Sequence, residues 1–159
     1  YLEHCENSNL SKISIEDLSF GDSNLVIAVP SGWIDVDNIY DLIELSYEYK
    51  SRSENLKLAT KYPNLVRRKL EKYDVHNIVF VSASGGLEAA PMIGYADIIA
   101  DITVTGKTMK ENNLKPLKDG VLFNSQACVI TSNSIPKDLN IEFLNIIKKL
   151  KSVGKSENI

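Results

Sequence analysis

The residues that decide the fold are SGGLEAAPMIGYADIIADITVTGKTM, at Ser84–Met109. In this stretch a glycine turn precedes a predicted helix that carries Glu88, an apolar strand follows at Ile98–Thr103, and a threonine-rich loop leads into another helix. Strands that alternate with helices predict an α/β fold with a mainly parallel sheet. Because such sheets bind ligands at the carboxyl ends of their strands, we expect a site near Asp101.

The same alternation continues on both sides of this stretch. The run LVIAV at Leu25–Val29 is apolar throughout and ends at Pro30, which is typical of a strand buried on both faces. The other predicted strands are Leu56–Lys61, Asn77–Ala83 and Val121–Ile130, and the predicted helices are Asp37–Glu48, Asn64–Tyr73, Leu87–Gly94, one that begins at Thr108, and Leu139–Val153.

The helix starts are assigned to side chains that can accept hydrogen bonds from free backbone amides. We expect Asp35 or Asp37 to cap the first predicted helix and Asn64 to cap the second. Thr108 and Glu111 have the spacing of a capping box. The segment up to Asp17 resembles the tail of a helix and a loop, and this favours a fragment of a longer protein as one interpretation.

Composition and charge limit the class of protein. The chain has 159 residues, 43% hydrophobic and 25% charged, with a formal net charge of −3, as in a soluble globular unit or two small lobes. No apolar run approaches the roughly 20 residues of a membrane span, and the acidic balance offers no basic surface for nucleic acid. Cys5 and Cys128 match no metal-ligand spacing, and free thiols favour a cytoplasmic location.

The turn Thr105–Thr108 has the composition of an anion-binding loop. It offers backbone amides, two hydroxyl groups, a helix N-terminus and a glycine, Gly106, at which a ligand can approach the backbone closely. It is not a Walker loop, because Asp101 stands where that pattern requires its first glycine. The Ser84–Gly86 turn lacks the third glycine of a dinucleotide motif. These local features favour a phosphate-binding loop and a plain threonine-glycine turn about equally.

The spacing of residues across Glu88–Met109 is more specific than the loop alone. It resembles the signature of the ATP phosphoribosyltransferase family at Glu88, Gly94, Tyr95-Ala96, Ile99, Asp101-Ile102, Thr105-Gly106 and Thr108-Met109. Two flanking stretches resemble the same family, namely LSFG at Leu18–Gly21 and LATKYPNLVRR at Leu58–Arg68. The resemblance therefore covers most of the chain.

The resemblance implies a fold like that of the type II periplasmic binding proteins, with the active site between two lobes. Residues 1–28 and 116–159 would belong to the first lobe, and residues 29–115 to the second. The implied substrates are phosphoribosyl pyrophosphate, with Mg²⁺, and ATP. In the implied reaction N1 of adenine attacks the anomeric carbon of the ribose while pyrophosphate leaves.

The resemblance also assigns roles to residues. The loop that holds the 5′-phosphate would consist of Thr103, Val104, Thr105, Gly106, Lys107 and Thr108. The carboxylates of Glu88 and Asp101 would be the catalytic pair, because they lie near the ribose and can steady a cationic transition state. Further contacts with the substrate are expected from Ser84, Gly85 and Tyr62.

The chain departs from the family pattern at both ends. The family's first half, which helps to bind pyrophosphate and ATP, has no counterpart before Tyr1. We expect no regulatory domain after the last helix, which would make the chain similar to the short form of the enzyme. We expect a homo-oligomer, with a separate regulatory subunit as one possible partner. The alternative interpretation is a binding module that captures a phosphorylated ligand without turnover.

Overall fold

The computed structural model describes residues 3–4, 13–75, 77–83, 85–132 and 139–156. The chain divides into two compact units, a smaller one formed by Tyr1–Ser23 with Ser125–Ile159 and a larger one formed by Asn24–Asn124. The chain therefore changes unit at 23/24 and 124/125, whereas the sequence analysis set these points at 28/29 and 115/116. The difference arises because two long strands run almost entirely within the larger unit.

The described elements alternate along the chain as an α/β fold requires. The strands are β1 (Ile13–Asp17), β2 (Ser23–Pro30), β3 (Leu56–Thr60), β4 (Ile78–Ser82), β5 (Ile98–Thr103), β6 (Leu114–Ser125) and β7 (Cys128–Ser132). The helices are α1 (Ile39–Ser51), α2 (Pro63–Glu71), α3 (Lys107–Glu111) and α4 (Asn140–Ser156), with a 3-10 turn at Leu87–Ala89. The predicted fold class is confirmed.

The larger unit is built on a five-stranded sheet in the order β4-β3-β5-β2-β6. Strand β3 is parallel to both β4 and β5, whereas β2 is antiparallel to β5, so that the sheet is mixed. This pairing sets the carboxyl ends of β3, β4 and β5 at one edge of the sheet. The amino end of β2 lies at the same edge, since Asn24 is opposite Thr103.

Both faces of β2 are covered, which explains its continuous apolar sequence. Alternate side chains of Leu25–Val29 face two different buried clusters. One cluster packs against α1 and α2, and the other joins Val26 and Ala28 to Leu87 and Met109. Because each fully buried aliphatic side chain contributes about 1.5–3 kcal/mol, the run stabilises the layers on both sides of the sheet.

Two of the predicted helix caps are wrong. Asn38 caps α1, since its Oδ1 accepts the amides of Tyr40 and Asp41, and the Asp41 carboxylate completes a capping box. The cap of α2 is Tyr62, which makes no side-chain cap bond, so Asn64 is not the cap. Pro63 begins this helix because its fixed φ suits the first turn and its missing amide leaves no donor there to satisfy.

The expected helix at Leu87–Gly94 is also wrong, and only the 3-10 turn at Leu87–Ala89 forms there. The cause is Pro91, which has no amide hydrogen to donate to the carbonyl of Leu87, while Gly94 at φ 72° turns the chain out of helical geometry. The capping box at Thr108 and Glu111 is absent as well. Helix α3 instead begins at Lys107, after Gly106 at φ 70°, and makes no side-chain cap bond.

In the smaller unit, β1 and β7 form an antiparallel pair in which Ile13 lies opposite Ser132. The segment up to Asp17 was expected to be a helix tail and loop, and this is wrong for Ile13–Asp17, which forms a strand. The single strand predicted at Val121–Ile130 is likewise two strands. The chain breaks between them because Ala127 exchanges hydrogen bonds with the backbone of Leu18 and Phe20, at 3.0 and 2.9 Å.

Helix α4 belongs to the smaller unit and buries Ile147. Across the ranges that the structure describes, none of the helices combines the length and the apolar character needed to cross a membrane.

Candidate functional site

A surface depression of about 220 Å³ lies at the carboxyl end of β5, within the larger unit. Its lining includes Glu88 from the 3-10 turn and five of the six loop residues singled out in the sequence, namely Thr103, Val104, Thr105, Lys107 and Thr108. The structure thus brings Glu88 and the loop together, although they lie far apart along the chain. The burial of Leu87 against the sheet holds the 3-10 turn in this place.

Asp101 lies beside the depression without lining it. Its side chain is half-buried, and its Oδ1 accepts the amide of Ile102 at 2.8 Å. Burial raises the pKa of the Asp101 carboxyl, the Ile102 hydrogen bond lowers it, the charge of Glu88 raises it and the charge of Lys61 lowers it, with a net rise. Asp101 and Glu88 are therefore close enough to influence each other electrostatically, as expected of an acidic pair.

The loop between β5 and α3 closes partly on itself. The amide of Gly106 donates to Oγ1 of Thr103 at 2.8 Å, and the amide of Lys107 donates to Oγ1 of Thr105 at a longer 3.4 Å. Gly106 was expected to offer its amide to a ligand, and the structure corrects this, because that donor already has an acceptor. The hydroxyl groups of Thr103 and Thr105 still have a hydrogen to donate.

Other amides of the loop keep their hydrogen-bonding capacity. Within the described residues, no acceptor is paired with the amides of Val104, Thr105, Thr108 and Met109. Free amides at the start of a helix attract anions. Since α3 has only five residues, these donors outweigh any contribution from its dipole. The loop therefore has the donors that a phosphate needs, although the amides of Gly106 and Lys107 are not among them.

Lys107 is the cation of the loop, and its ion pair is weak. The Lys107 side chain is 79% exposed, and its Nζ lies 3.9 Å from Oε1 of Glu111. Such an exposed pair on adjacent helical turns contributes little, on the order of 0.3–0.5 kcal/mol.

Of the remaining predicted contacts, Gly85 and Tyr62 are not among the described residues that line this depression. Gly85 is exposed, and Tyr62 is half-buried against the core, with its amide donating to Oγ1 of Thr60 at 3.0 Å. Ser84 lies outside the described residues.

Two residues at this edge of the sheet, Tyr95 and Lys61, had no predicted role. The hydroxyl of Tyr95 donates to the carbonyl of Ser82 at 2.7 Å, which ties the segment after Glu88 to the end of β4. Lys61 leaves the end of β3 and influences the pKa of Asp101. Tyr95 lies within the quoted family pattern and Lys61 ends a predicted strand, so both signals were present in the sequence.

A larger depression, of about 500 Å³, lies beside Trp33 and α1. It is lined by four carboxylates, those of Asp35, Asp41, Glu44 and Glu48, but by only one cation, Arg52, which lies 3.5 Å from Glu48. Its net negative charge disfavours a phosphate, so the smaller depression is the better candidate. In the part of the chain that the structure describes, no three His, Cys, Asp or Glu side chains are grouped to hold a metal ion.

Comparison with known proteins gives consistent results. A family model described as ATP phosphoribosyltransferase matches residues 2–152. The ATP phosphoribosyltransferase of Mesorhizobium japonicum is 41% identical over 117 residues, which cover 72% of this chain and 50% of the relative. That of Nitrobacter hamburgensis is 40% identical over 119 residues, which cover 74% of this chain and 37% of the relative. The chain thus spans about half, or less, of the length of these relatives.

Solved structures show the same fold. The ATP phosphoribosyl transferase (HisG:HisZ) complex from Thermotoga maritima matches with a TM-score of 0.65 and 23% identity, covering 91% of this chain and 72% of that one. The arginine-, lysine-, histidine-binding protein ArtJ from Geobacillus stearothermophilus matches with a TM-score of 0.58 and 14% identity, covering 95% of this chain and 62% of that one. At these identities the likeness concerns the fold alone, and it agrees with the predicted periplasmic-binding-protein-like class.

Proposed function

The chain belongs to the ATP phosphoribosyltransferase family, and from this premise we propose that it carries the phosphoribosyl-binding part of that enzyme. The proposed reaction joins ATP and phosphoribosyl pyrophosphate to give N1-(5-phosphoribosyl)-ATP and pyrophosphate, the first step of histidine biosynthesis. The observation that carries the proposal is the depression in which Glu88 faces the loop Thr103–Thr108.

The loop is proposed to bind the 5′-phosphate. Amides of Val104, Thr105, Thr108 and Met109 are free among the described residues, and two threonine hydroxyls can each donate a hydrogen. A hydrogen bond to a charged group contributes about 1.5–3 kcal/mol, so three or four such bonds support micromolar binding, about −8 kcal/mol. The internal bond from Gly106 to Thr103 holds the loop in place before the ligand arrives.

Glu88 and Asp101 are proposed to act on the ribose. As pyrophosphate leaves, the bond from the anomeric carbon to oxygen breaks and positive charge builds up on the ring, until N1 of adenine forms the new bond. Two carboxylates close together stabilise such a cation, and the half-buried position of Asp101 strengthens this effect because less water screens its charge. The reaction requires positioning and charge stabilisation but no nucleophilic side chain.

Mg²⁺ is proposed to arrive with phosphoribosyl pyrophosphate. The described residues offer no group of three metal-ligating side chains, and Mg²⁺ typically needs only one or two carboxylates beside substrate oxygens. Glu88 and Asp101 fit that requirement. When bound, the ion would neutralise charge on the departing pyrophosphate.

Ligand titration tests this proposal. Phosphoribosyl pyrophosphate with Mg²⁺ should raise the melting temperature of the chain. At a ligand concentration of a hundred times Kd, binding stabilises the folded state by about 2.7 kcal/mol. A flat response at millimolar ligand would reject the proposal. An assay of pyrophosphate release in the presence of ATP then separates the enzyme from a binding module, because the module gives the thermal shift without product.

The partners are proposals as well. The Thermotoga maritima structure is a complex of two different proteins, which supports a separate regulatory subunit for this chain. We also propose a homo-oligomer in the cytoplasm, where ATP and free thiols such as Cys128 are expected. Light scattering after gel filtration tests the oligomer, because a monomeric mass at working concentration would contradict it.

A further inference from the structure

The acidic pair creates an electrostatic difficulty for an anionic substrate. Glu88 and Asp101 carry two negative charges at the edge of the sheet where the phosphate loop lies. The nearest cation of the loop, Lys107, is mostly exposed and lies beside Glu111. Like charges in a partly desolvated site repel each other strongly, so besides the Mg²⁺ proposed to arrive with the substrate, a positive side chain near the acidic pair would stabilise a bound phosphoryl group.

Lys61 occupies a position that provides this charge. Strands β3 and β5 are parallel, with Thr60 opposite Ala100, so that Lys61 leaves β3 next to the point where β5 continues to Asp101. The positive charge of Lys61 lowers the pKa of the Asp101 carboxyl, which agrees with this register. Lys61 is exposed, and among the described residues its ammonium has no ion-pair partner.

The backbone holds Lys61 in place. Thr60 is buried, with a relative exposure of 2%, and its Oγ1 accepts the amide of Tyr62 at 3.0 Å. Pro63 then begins α2 immediately. Lys61 lies inside the turn that this hydrogen bond closes, so the position of its Cα is fixed. Its long side chain remains free to move toward a ligand.

We propose that Lys61 binds a phosphoryl group of the substrate at the Glu88–Asp101 edge of the sheet. Without substrate, its ammonium balances the acidic pair, and with substrate it meets the incoming anion as a compact point charge. The inference rests on the proposed function, since it concerns the same site. The phosphoryl group is either the 5′-phosphate or the pyrophosphate, and the test distinguishes them.

The test compares Lys61→Met with Lys61→Arg and with the control Lys57→Met. Lys57 is an exposed lysine near the other end of β3, so its loss removes the same charge from the same strand away from the site. Calorimetric titration with Mg²⁺ measures Kd for phosphoribosyl pyrophosphate, ribose 5-phosphate and inorganic pyrophosphate. Lys61→Met should weaken binding of phosphoribosyl pyrophosphate roughly tenfold, and Lys61→Arg and Lys57→Met by less than about threefold.

The two smaller ligands identify the group that is bound. A loss confined to ribose 5-phosphate assigns Lys61 to the 5′-phosphate, and a loss confined to pyrophosphate assigns it to the leaving group. An unchanged Kd for all three ligands in Lys61→Met, or an equal loss in Lys57→Met, overturns the inference alone. Failure of the unmodified chain to bind any of them overturns both the inference and the proposed function. Melting temperatures without ligand should agree among the variants, since both lysines are exposed.

Discussion

Two aspartates of the larger unit, Asp37 and Asp101, have opposite environments. Asp37 precedes α1 and accepts hydrogen bonds from Nζ of Lys115 at 2.6 Å and Nζ of Lys118 at 2.7 Å, and these bonds lower its pKa to about 2. Asp101 is half-buried near a second carboxylate, and its pKa is raised. Neither sequence context shows which groups surround the carboxylate, so only the structure distinguishes the two residues.

The difference indicates what each carboxylate contributes. Asp37 fastens the start of α1 to the edge strand β6, since its carbonyl also accepts the amide of Lys118 at 2.8 Å. Its charge is fully compensated there. Asp101 has one short hydrogen bond, from the adjacent amide, and lies beside a like charge. The positive charge of Lys61 offsets this only in part, since the pKa of Asp101 is still raised, and a carboxylate in such an environment is a candidate for interaction with a ligand.

Under the proposed function, the largest expected effect of changing one of these aspartates is on turnover. Asp101→Asn should reduce pyrophosphate release roughly a hundredfold, because the neutral amide no longer stabilises the cationic ribose. Asp37→Asn should leave the rate unchanged, since Asp37 precedes α1, contacts β6 and does not line the depression. Steady-state assays of pyrophosphate release on both variants test this prediction. Equal loss of rate in the two would mean that Asp101 acts through folding and not on the substrate.

The second effect concerns the loop between β5 and α3. Gly106 has φ 70°, and the space that a side chain would occupy there is open, so conformation, not crowding, limits substitution. Gly106→Val should lose about 1–2 kcal/mol of stability and bind phosphoribosyl pyrophosphate roughly tenfold more weakly, because the strained loop loses its bond to Thr103. Gly106→Asn, which tolerates this conformation, should bind within about threefold of the unmodified chain. Urea unfolding and calorimetry measure both quantities, and identical affinities in the two variants would exclude the loop from the site.

The proximity of Glu88 to the loop between β5 and α3 was predictable from the sequence, from the strand-end rule and from the family resemblance together. The strand-end rule placed Asp101 beside a loop, and the spacing across Glu88–Met109 linked that loop to Glu88. The helix expected around Glu88 does not form because of Pro91, so this part of the prediction could have been made correctly from the sequence. The exact donors of the loop were not predictable, since the bond from Gly106 to Thr103 depends on backbone geometry.

The Asp37 cluster was not predictable in the same way. Lys115 and Lys118 lie 78 and 81 residues further along the chain, and no pattern in a single sequence joins them to Asp37. Their meeting depends on the neighbouring positions of α1 and β6 in the finished fold. For the same reason Asp35 or Asp37 was the predicted helix cap, whereas Asn38 takes that role and leaves the Asp37 carboxylate to the lysines.

The third prediction concerns the pH dependence of stability at Asp37. Its folded pKa, about 2, lies below the ordinary value of 3.8, so its stabilising effect is present above pH 3.8 and is lost as the pH falls toward 2. Asp37→Asn should therefore melt at a lower temperature than the unmodified chain at pH 7. The two melting temperatures should converge as the pH approaches 2. Calorimetric scans across this range provide the measurement, and a difference that does not change with pH would show that the ion pairs are not its source.

The smallest expected effect is a gain in stability for Asp101→Asn, opposite in sign to the loss expected for Asp37→Asn. Because burial and Glu88 raise the folded pKa of Asp101, its protonated form suits the fold, and stability present below pH 3.8 is lost as the pH rises through the folded value. Asp101→Asn keeps an oxygen to accept the Ile102 amide but removes the charge, so this variant should be more stable than the unmodified chain at pH 7. The gain should stay below about 1 kcal/mol, because solvent screens a half-exposed carboxylate, and it should vanish below pH 3.8. A variant that is less stable at pH 7 would place Asp101, like Asp37, among the groups that hold the fold together.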